Sequence, residues 1–113
     1  MKNLTEKHCV PCEKKTAPLS DEAIKKLGRE LKQPWQITTA QSGLKKLSFE
    51  FSFADFPAAV AFVNKIVPVA EAEGHHPDLY IFYNRVRVEL YTHSIGGLSE
   101  NDFILAAKIE RLA

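Results

Sequence analysis

The chain has 113 residues, 45% of them hydrophobic and 26% charged, enough for one domain with a core and too few for two. Its 15 basic and 14 acidic residues are interspersed and leave a net charge of +1, so no one-sided field marks a nucleic-acid or membrane-surface binder. The start MKNLTEKHC lacks the apolar run of a secretory signal, and the most apolar stretch, FPAAVAFVNKIVPVA, is broken by Asn64, Lys65 and Pro68; the expected location is cytoplasmic.

Residues 1–18 carry charges, two prolines and no periodicity, and are expected to form a flexible N-terminal arm ahead of a single domain at 19–113. The arm holds both cysteines, in His8-Cys9-Val10-Pro11-Cys12. Two are too few for a disulfide framework, no second Cys or His pair lies at finger spacing, and no strand precedes Cys9 as in a thioredoxin-type site. An exposed, reduced tail is the expectation.

A first helix is expected from Ser20 as N-cap, with Asp21 and Glu22 in its positive first turn and Leu19 and Ile24 stapling the cap. Ile24, Leu27 and Leu31 recur at helical spacing, and Gln33-Pro34 ends the element. A strand at 35–38 and a turn at Gln41-Ser42-Gly43 lead to the clearest strand signal. There Leu47, Phe49, Phe51 and Phe53 alternate with Lys46, Ser48, Glu50 and Ser52.

Asp55 caps a second helix that tolerates Pro57 in its first turn, with Phe56, Ala59, Val60, Val63 and Val67 as its apolar stripe. Pro68 should kink it and Gly74 end it in a left-handed conformation. Two strands at 79–83 and 86–91 follow, joined at Asn84-Arg85, where Asn tolerates a positive φ. In the second, Val86, Val88 and Leu90 face one way, and Arg87, Glu89, Tyr91 and His93 the other. The loop 94–98, with Gly96-Gly97, leads to a last helix starting at Ser99. The order α-β-β-α-β-β-α predicts an α+β fold: a four-stranded antiparallel sheet with three helices packed on one face. The other face is left polar and open to self-association.

Two of the four histidines are adjacent in Gly74-His75-His76-Pro77. Gly74 frees the backbone before the pair, and Pro77 biases His76 toward an extended conformation. Glu71, four residues before His75, is within reach to orient an imidazole. A histidine pair at a helix end also simply complements the dipole. His93 ends a strand on its polar face, where sheets present site residues and where solvated side chains are equally ordinary. Asp102 fits the capping box Ser99-Glu100-Asn101-Asp102 and can also bond a nearby histidine. With no phosphate loop, dinucleotide fingerprint or serine elbow, the available tools are imidazoles and carboxylates, which suit elimination, hydration or isomerisation.

Glu71, three residues, His75-His76-Pro77, five residues, Tyr83, nine residues, His93, eight residues and Asp102 together resemble the signature of the pterin-4a-carbinolamine dehydratases. HCVPC, VAEAEGHHP and THSIGGLSENDF look like that family's bacterial branch. The resemblance implies dehydration of a 4a-hydroxytetrahydropterin, formed by an aromatic amino acid hydroxylase, to quinonoid dihydropterin for recycling. It implies His75, His76 and His93 as acid–base residues, with His76 also orienting the pterin. Glu71, Gly74, Pro77, Thr92, Ser94 and Asp102 are the implied substrate-binding or supporting positions. Some members have aspartate in place of Gly74 and arginine in place of Asn101, so the side-chain contacts those residues make are not expected here. No metal or other cofactor is implied; the partners are the pterin and further copies of the chain in a dimer or tetramer. The competing readings are a non-enzymatic dimerisation cofactor of a transcription factor and a role with another pterin, such as molybdopterin.

Overall fold

The computed structural model describes residues 3–10 and 17–113. In chain order these hold α1 (Asp21–Gly28), β1 (Gln36–Thr39), β2 (Lys45–Ser52), α2 (Phe56–Glu73), β3 (Asp78–Phe82), β4 (Arg85–Leu90) and α3 (Glu100–Glu110). Single 3-10 turns lie at Leu4–Glu6 and His93–Ile95. The strands form one antiparallel sheet in the order β1-β2-β4-β3, as the expected α+β fold requires.

Register sets the two faces. Leu47 pairs with Leu90, Phe49 with Val88 and Phe51 with Val86, so apolar residues of β2 and β4 share one face. That face is buried under α2 and α3: Ala59, Phe62 and Ile66 of α2 and Phe103, Leu105 and Ile109 of α3 share a core with Leu47, Phe51, Val86, Val88 and Leu90. The opposite face carries Glu50, Arg87, Glu89 and Lys46, but also Tyr80 and Phe82, which stack on the Arg87 guanidinium at 4.5 and 5.2 Å from its carbon to the ring centroids.

The caps form where the sequence places them. The Ser20 side chain accepts from the Ala23 N–H, and the Asp55 side chain from the Ala58 N–H. Gly74 closes α2 at φ 64, and its N–H and that of His75 bond back to the carbonyls of Glu71 and Ala70. α1 ends at Gly28, short of Gln33-Pro34. Residues 32 and 33 instead donate their N–H groups to the Glu110 carboxylate, which also accepts from the Trp35 indole.

Four further expectations need correction. The stripe of α2 is rotated: Phe62, Ile66 and Ala70 are buried with Ala59, while Phe56 and Val67 are about half exposed. This helix is apolar nearly all round, so its period cannot select a face. The β3–β4 loop is Tyr83-Asn84, with Tyr83 at φ 52 and Phe82 paired to Arg85. Asn84 is used otherwise: its side-chain amide donates to the Phe53 carbonyl, and its own carbonyl accepts from the Phe53 N–H.

The third and fourth corrections concern the arm. Residues 3–10 lie across α3, and Leu4 is 2% exposed within the core. This cover explains why α3 is buried from Asn101 through Ala107 on all sides. Nor is Cys9 in an exposed tail: it is half-buried, with Sγ 3.5 Å from the Asn101 carbonyl. Burial, reinforced by the Glu73 carboxylate, pushes its thiol up to about 12, so little of it is the nucleophilic thiolate at neutral pH. Cys12 lies outside the described residues. No helix among the described residues is long and apolar enough to cross a membrane, and no cluster of three or more His, Cys, Asp or Glu among them could hold a metal ion.

Candidate functional site

The site is built where the end of α2 meets the start of α3. Gly74 turns the chain out of the helix at a positive φ, and the following His75 leaves the helical path. Its Nε2 lies 2.6 Å from Oδ1 of Asp102, and its side chain is only 14% exposed. Asp102 is at N3 of α3, fully buried. Both roles that the sequence left open for Asp102 are therefore filled, because Oδ2 accepts from the Ser99 N–H at 2.9 Å, closing the capping box.

Oδ2 takes a second donor, the Thr92 hydroxyl, also at 2.9 Å, and that hydroxyl lies 2.7 Å from Ser99 Oγ. A carboxylate can only accept, so all three contacts are donated to Asp102. Neutral His75 must then carry its proton on Nε2 and leave the lone pair on Nδ1. The arrangement is a buried carboxylate fixing the tautomer of an imidazole whose other nitrogen faces away from it.

The other expected residues surround this pair unevenly. Glu71 pairs with His76, not His75: its Oε1 is 3.1 Å from His76 Nε2, and both side chains are largely exposed. The left-handed Gly74 moves His75 off the helical i, i+4 position and brings the next residue round to Glu71. Pro77 is half-buried between His76 and the start of β3. His93 opens the 3-10 turn directly after Thr92, exposed, with its ring 6.3 Å from that of Tyr91. Ser94 follows it, also exposed. The loop is closed by paired backbone bonds between Thr92 and Gly97. At Gly97 a Cβ would come within 2.9 Å of Pro18, so only glycine fits there.

A second constellation, which sequence reasoning missed, adjoins the first. Glu73, two residues before His75, accepts from the Cys9 N–H at 2.8 Å and pairs with His8 Nδ1 at 2.9 Å and Lys108 Nζ at 3.1 Å. Burial raises its carboxyl, but these donors outweigh that and hold it at about 2. Asn101, next to Asp102, grips Val10 through both its amide atoms, accepting at 3.0 Å and donating at 2.6 Å. The arm is thus tied to the sequence neighbours of His75 and Asp102. The only hint in sequence was Glu73 itself, a charged residue on a helix that the sequence buries.

Comparison with known proteins gives the family of the chain as a whole. Residues 17–112 match a family described as pterin 4 alpha carbinolamine dehydratase. A protein of Alkaliphilus metalliredigens, provisionally named pterin-4-alpha-carbinolamine dehydratase, is 41% identical over 111 residues, 98% of this chain and 96% of its own. One of Rickettsia canadensis with the same provisional name is 48% identical over 107 residues, 95% of this chain and 94% of its own. The crystal structure of a transcriptional coactivator/pterin dehydratase from Brucella melitensis superposes with a TM-score of 0.75 at 33% identity, covering 85% of this chain and 98% of that one.

Proposed function

The chain belongs to the pterin 4 alpha carbinolamine dehydratase family, and we propose that it dehydrates a 4a-hydroxytetrahydropterin to quinonoid dihydropterin and water, with His75 and His93 moving the protons. The observation that carries the chemical part is the 2.6 Å contact between buried Asp102 and His75 Nε2. It leaves Nδ1 of His75 as a base backed by a carboxylate, which stabilises the imidazolium that proton uptake creates.

In this reading His75 Nδ1 removes the N5 proton of the carbinolamine. The N5 electron pair forms the N5–C4a double bond, the C4a–O bond breaks, and His93 protonates the departing hydroxyl to water. An imidazole can both take up and release a proton, which suits it to either role. His76, exposed and paired with Glu71, orients the pterin. Gly74 and Pro77 shape the loop that presents His75 and His76, and Ser94 follows His93 in the 3-10 turn. The physiological setting that fits this reaction is recycling of the tetrahydropterin used by an aromatic amino acid hydroxylase.

We further propose that copies of the chain associate through the sheet. β3 is an edge strand with Tyr80, Ile81 and Phe82 each about 40% exposed. A purely binding role, of the kind named for the Brucella protein alongside dehydration, would not call for a buried carboxylate aimed at an imidazole.

The test is a spectroscopic dehydration assay on enzymatically generated 4a-hydroxytetrahydropterin. Dihydropterin should appear with a rate proportional to added protein. An appearance rate equal to that without protein would contradict the proposal.

A further inference from the structure

We propose that Thr92 is a positioning residue for the reaction, acting through Asp102 on His75, and not a residue that touches the pterin. The inference rests on the reading of His75 as a proton-transfer group, but its geometry stands apart from any activity. Thr92 is 6% exposed, the last residue before His93, and its hydroxyl is already engaged on two sides.

Proton counting fixes the direction of that chain of bonds. Thr92 has one hydroxyl proton, and the Asp102 carboxylate can only accept, so the Thr92 proton goes to Oδ2. Ser99 Oγ–H must then donate to Thr92 Oγ1 across their 2.7 Å separation. Donation runs from Ser99 to Thr92 to Asp102 on one side and from His75 to Asp102 on the other, with every direction set by the one group that cannot donate. Two donors on Oδ2 stop the carboxylate from rotating about its Cβ–Cγ bond, and that keeps Oδ1 aimed at His75 Nε2. The two donors come from different elements: Ser99 is the N-cap of α3, and Thr92 lies between β4 and the 3-10 turn at His93–Ile95.

Threonine suits the task better than serine for one reason and valine cannot perform it. Its β-branch restricts χ1, so the hydroxyl is held in one direction. Its backbone is fixed as well, by the paired bonds to Gly97 that close the loop carrying His93. Thr92 is therefore the residue where the His75 arm and the His93 arm of the site are joined: one through its side chain, the other through the peptide that follows it.

The experiment compares Thr92→Val and Thr92→Ser with the native protein in two readouts. The first is the ring ¹⁵N spectrum of His75 at a pH where its imidazole is neutral; the second is kcat and KM for dehydration. The native ring should show Nε2 protonated and Nδ1 bare. Thr92→Val should free the Asp102 carboxylate to turn from His75, so that the Nε2-protonated form no longer predominates, and should lower kcat roughly tenfold with KM unchanged, the scale typical of removing a group that orients an imidazole. Thr92→Ser should restore the tautomer and most of kcat. A Thr92→Val protein that keeps the tautomer and kcat, or one whose KM rises at unchanged kcat, overturns the proposal, the latter in favour of direct contact with substrate. Thr92→Ala replaces Thr92→Val if the latter does not fold. If the native protein shows no dehydration, the reaction assigned above is wrong, and the ¹⁵N spectra alone still decide the relay.

Discussion

Replacing Asp102 with asparagine changes one atom and should remove most of the catalysis. Oδ2 receives two donors, the Thr92 hydroxyl and the Ser99 N–H, each at 2.9 Å, so the amide oxygen must occupy that side. The amide NH₂ is then turned toward His75 Nε2, at a site where the native separation is 2.6 Å. A neutral ring can meet it only by accepting at Nε2 and moving its proton to Nδ1, the nitrogen that has to be bare to act as a base. Amidating the carboxylate behind a catalytic imidazole costs on the order of 10⁴ in turnover where tautomer is decisive. Spontaneous dehydration masks part of such a loss, so kcat should fall roughly 10²–10⁴-fold. Folding should suffer by only about 1–2 kcal/mol, because the amide keeps the capping bond and loses one charge-assisted contact. Initial rates of dihydropterin formation give the first number and urea denaturation the second. A folded Asp102→Asn protein whose kcat stays within about threefold of native would refute the tautomer argument.

Three further outcomes follow from the packing. Leu4→Ala should lower stability by about 2–3 kcal/mol, because it empties a core position held by a short peripheral turn that relaxes only partly; an unchanged urea midpoint would mean that the arm is dispensable. Glu73 has a folded-state carboxyl near 2 against an ordinary 4.5, so its contribution, on the order of 3 kcal/mol, is complete above pH 4.5 and fades as pH falls toward 2. The stability gap between native and Glu73→Gln protein should shrink over that range in acid-dependent melts, and a gap that does not vary with pH would show that the charge is not what holds the arm. Light scattering should find a dimer or larger assembly, and Tyr80→Lys with Phe82→Lys at the exposed edge should shift it toward monomer; a native protein that is active as a dilute monomer would exclude the sheet-edge contact.

What could be read in the sequence was what is decided locally. Ser20 and Asp55 cap their helices through bonds to backbone three residues away, Asp102 reaches back to the Ser99 N–H at the start of α3, and Gly74 ends α2 by its own φ. The alternation of β4 was equally plain, and in β2 it holds for Leu47 and Phe51, although Ser48 on the opposite face is buried too. The face of α2 was not, because Phe56 and Val67 are as apolar as Phe62 and Ile66, and only the sheet and α3 decide between them. Leu4 gave no periodic signal, being a single apolar residue among charges, yet it completes the cover of α3. At the site, the histidines and Asp102 could be named from type and spacing. Their pairing could not: the left-handed Gly74 hands Glu71 to His76, and His75 finds Asp102 from 27 residues away. Thr92 was named from the resemblance; the bonds of its hydroxyl to Asp102 and Ser99 are a link that no local pattern announces.

The most direct test of the central claim is the dehydration rate of the doubly substituted protein, His75→Ala with His93→Ala. Both residues lie outside the periodic core, on a helix-end loop and a 3-10 turn, so the variant should fold and can be checked by its circular dichroism and melt. Assayed on freshly generated 4a-hydroxytetrahydropterin, it should form dihydropterin no faster than buffer alone. A folded double variant that accelerates the reaction as well as the native chain would contradict proton transfer by these imidazoles.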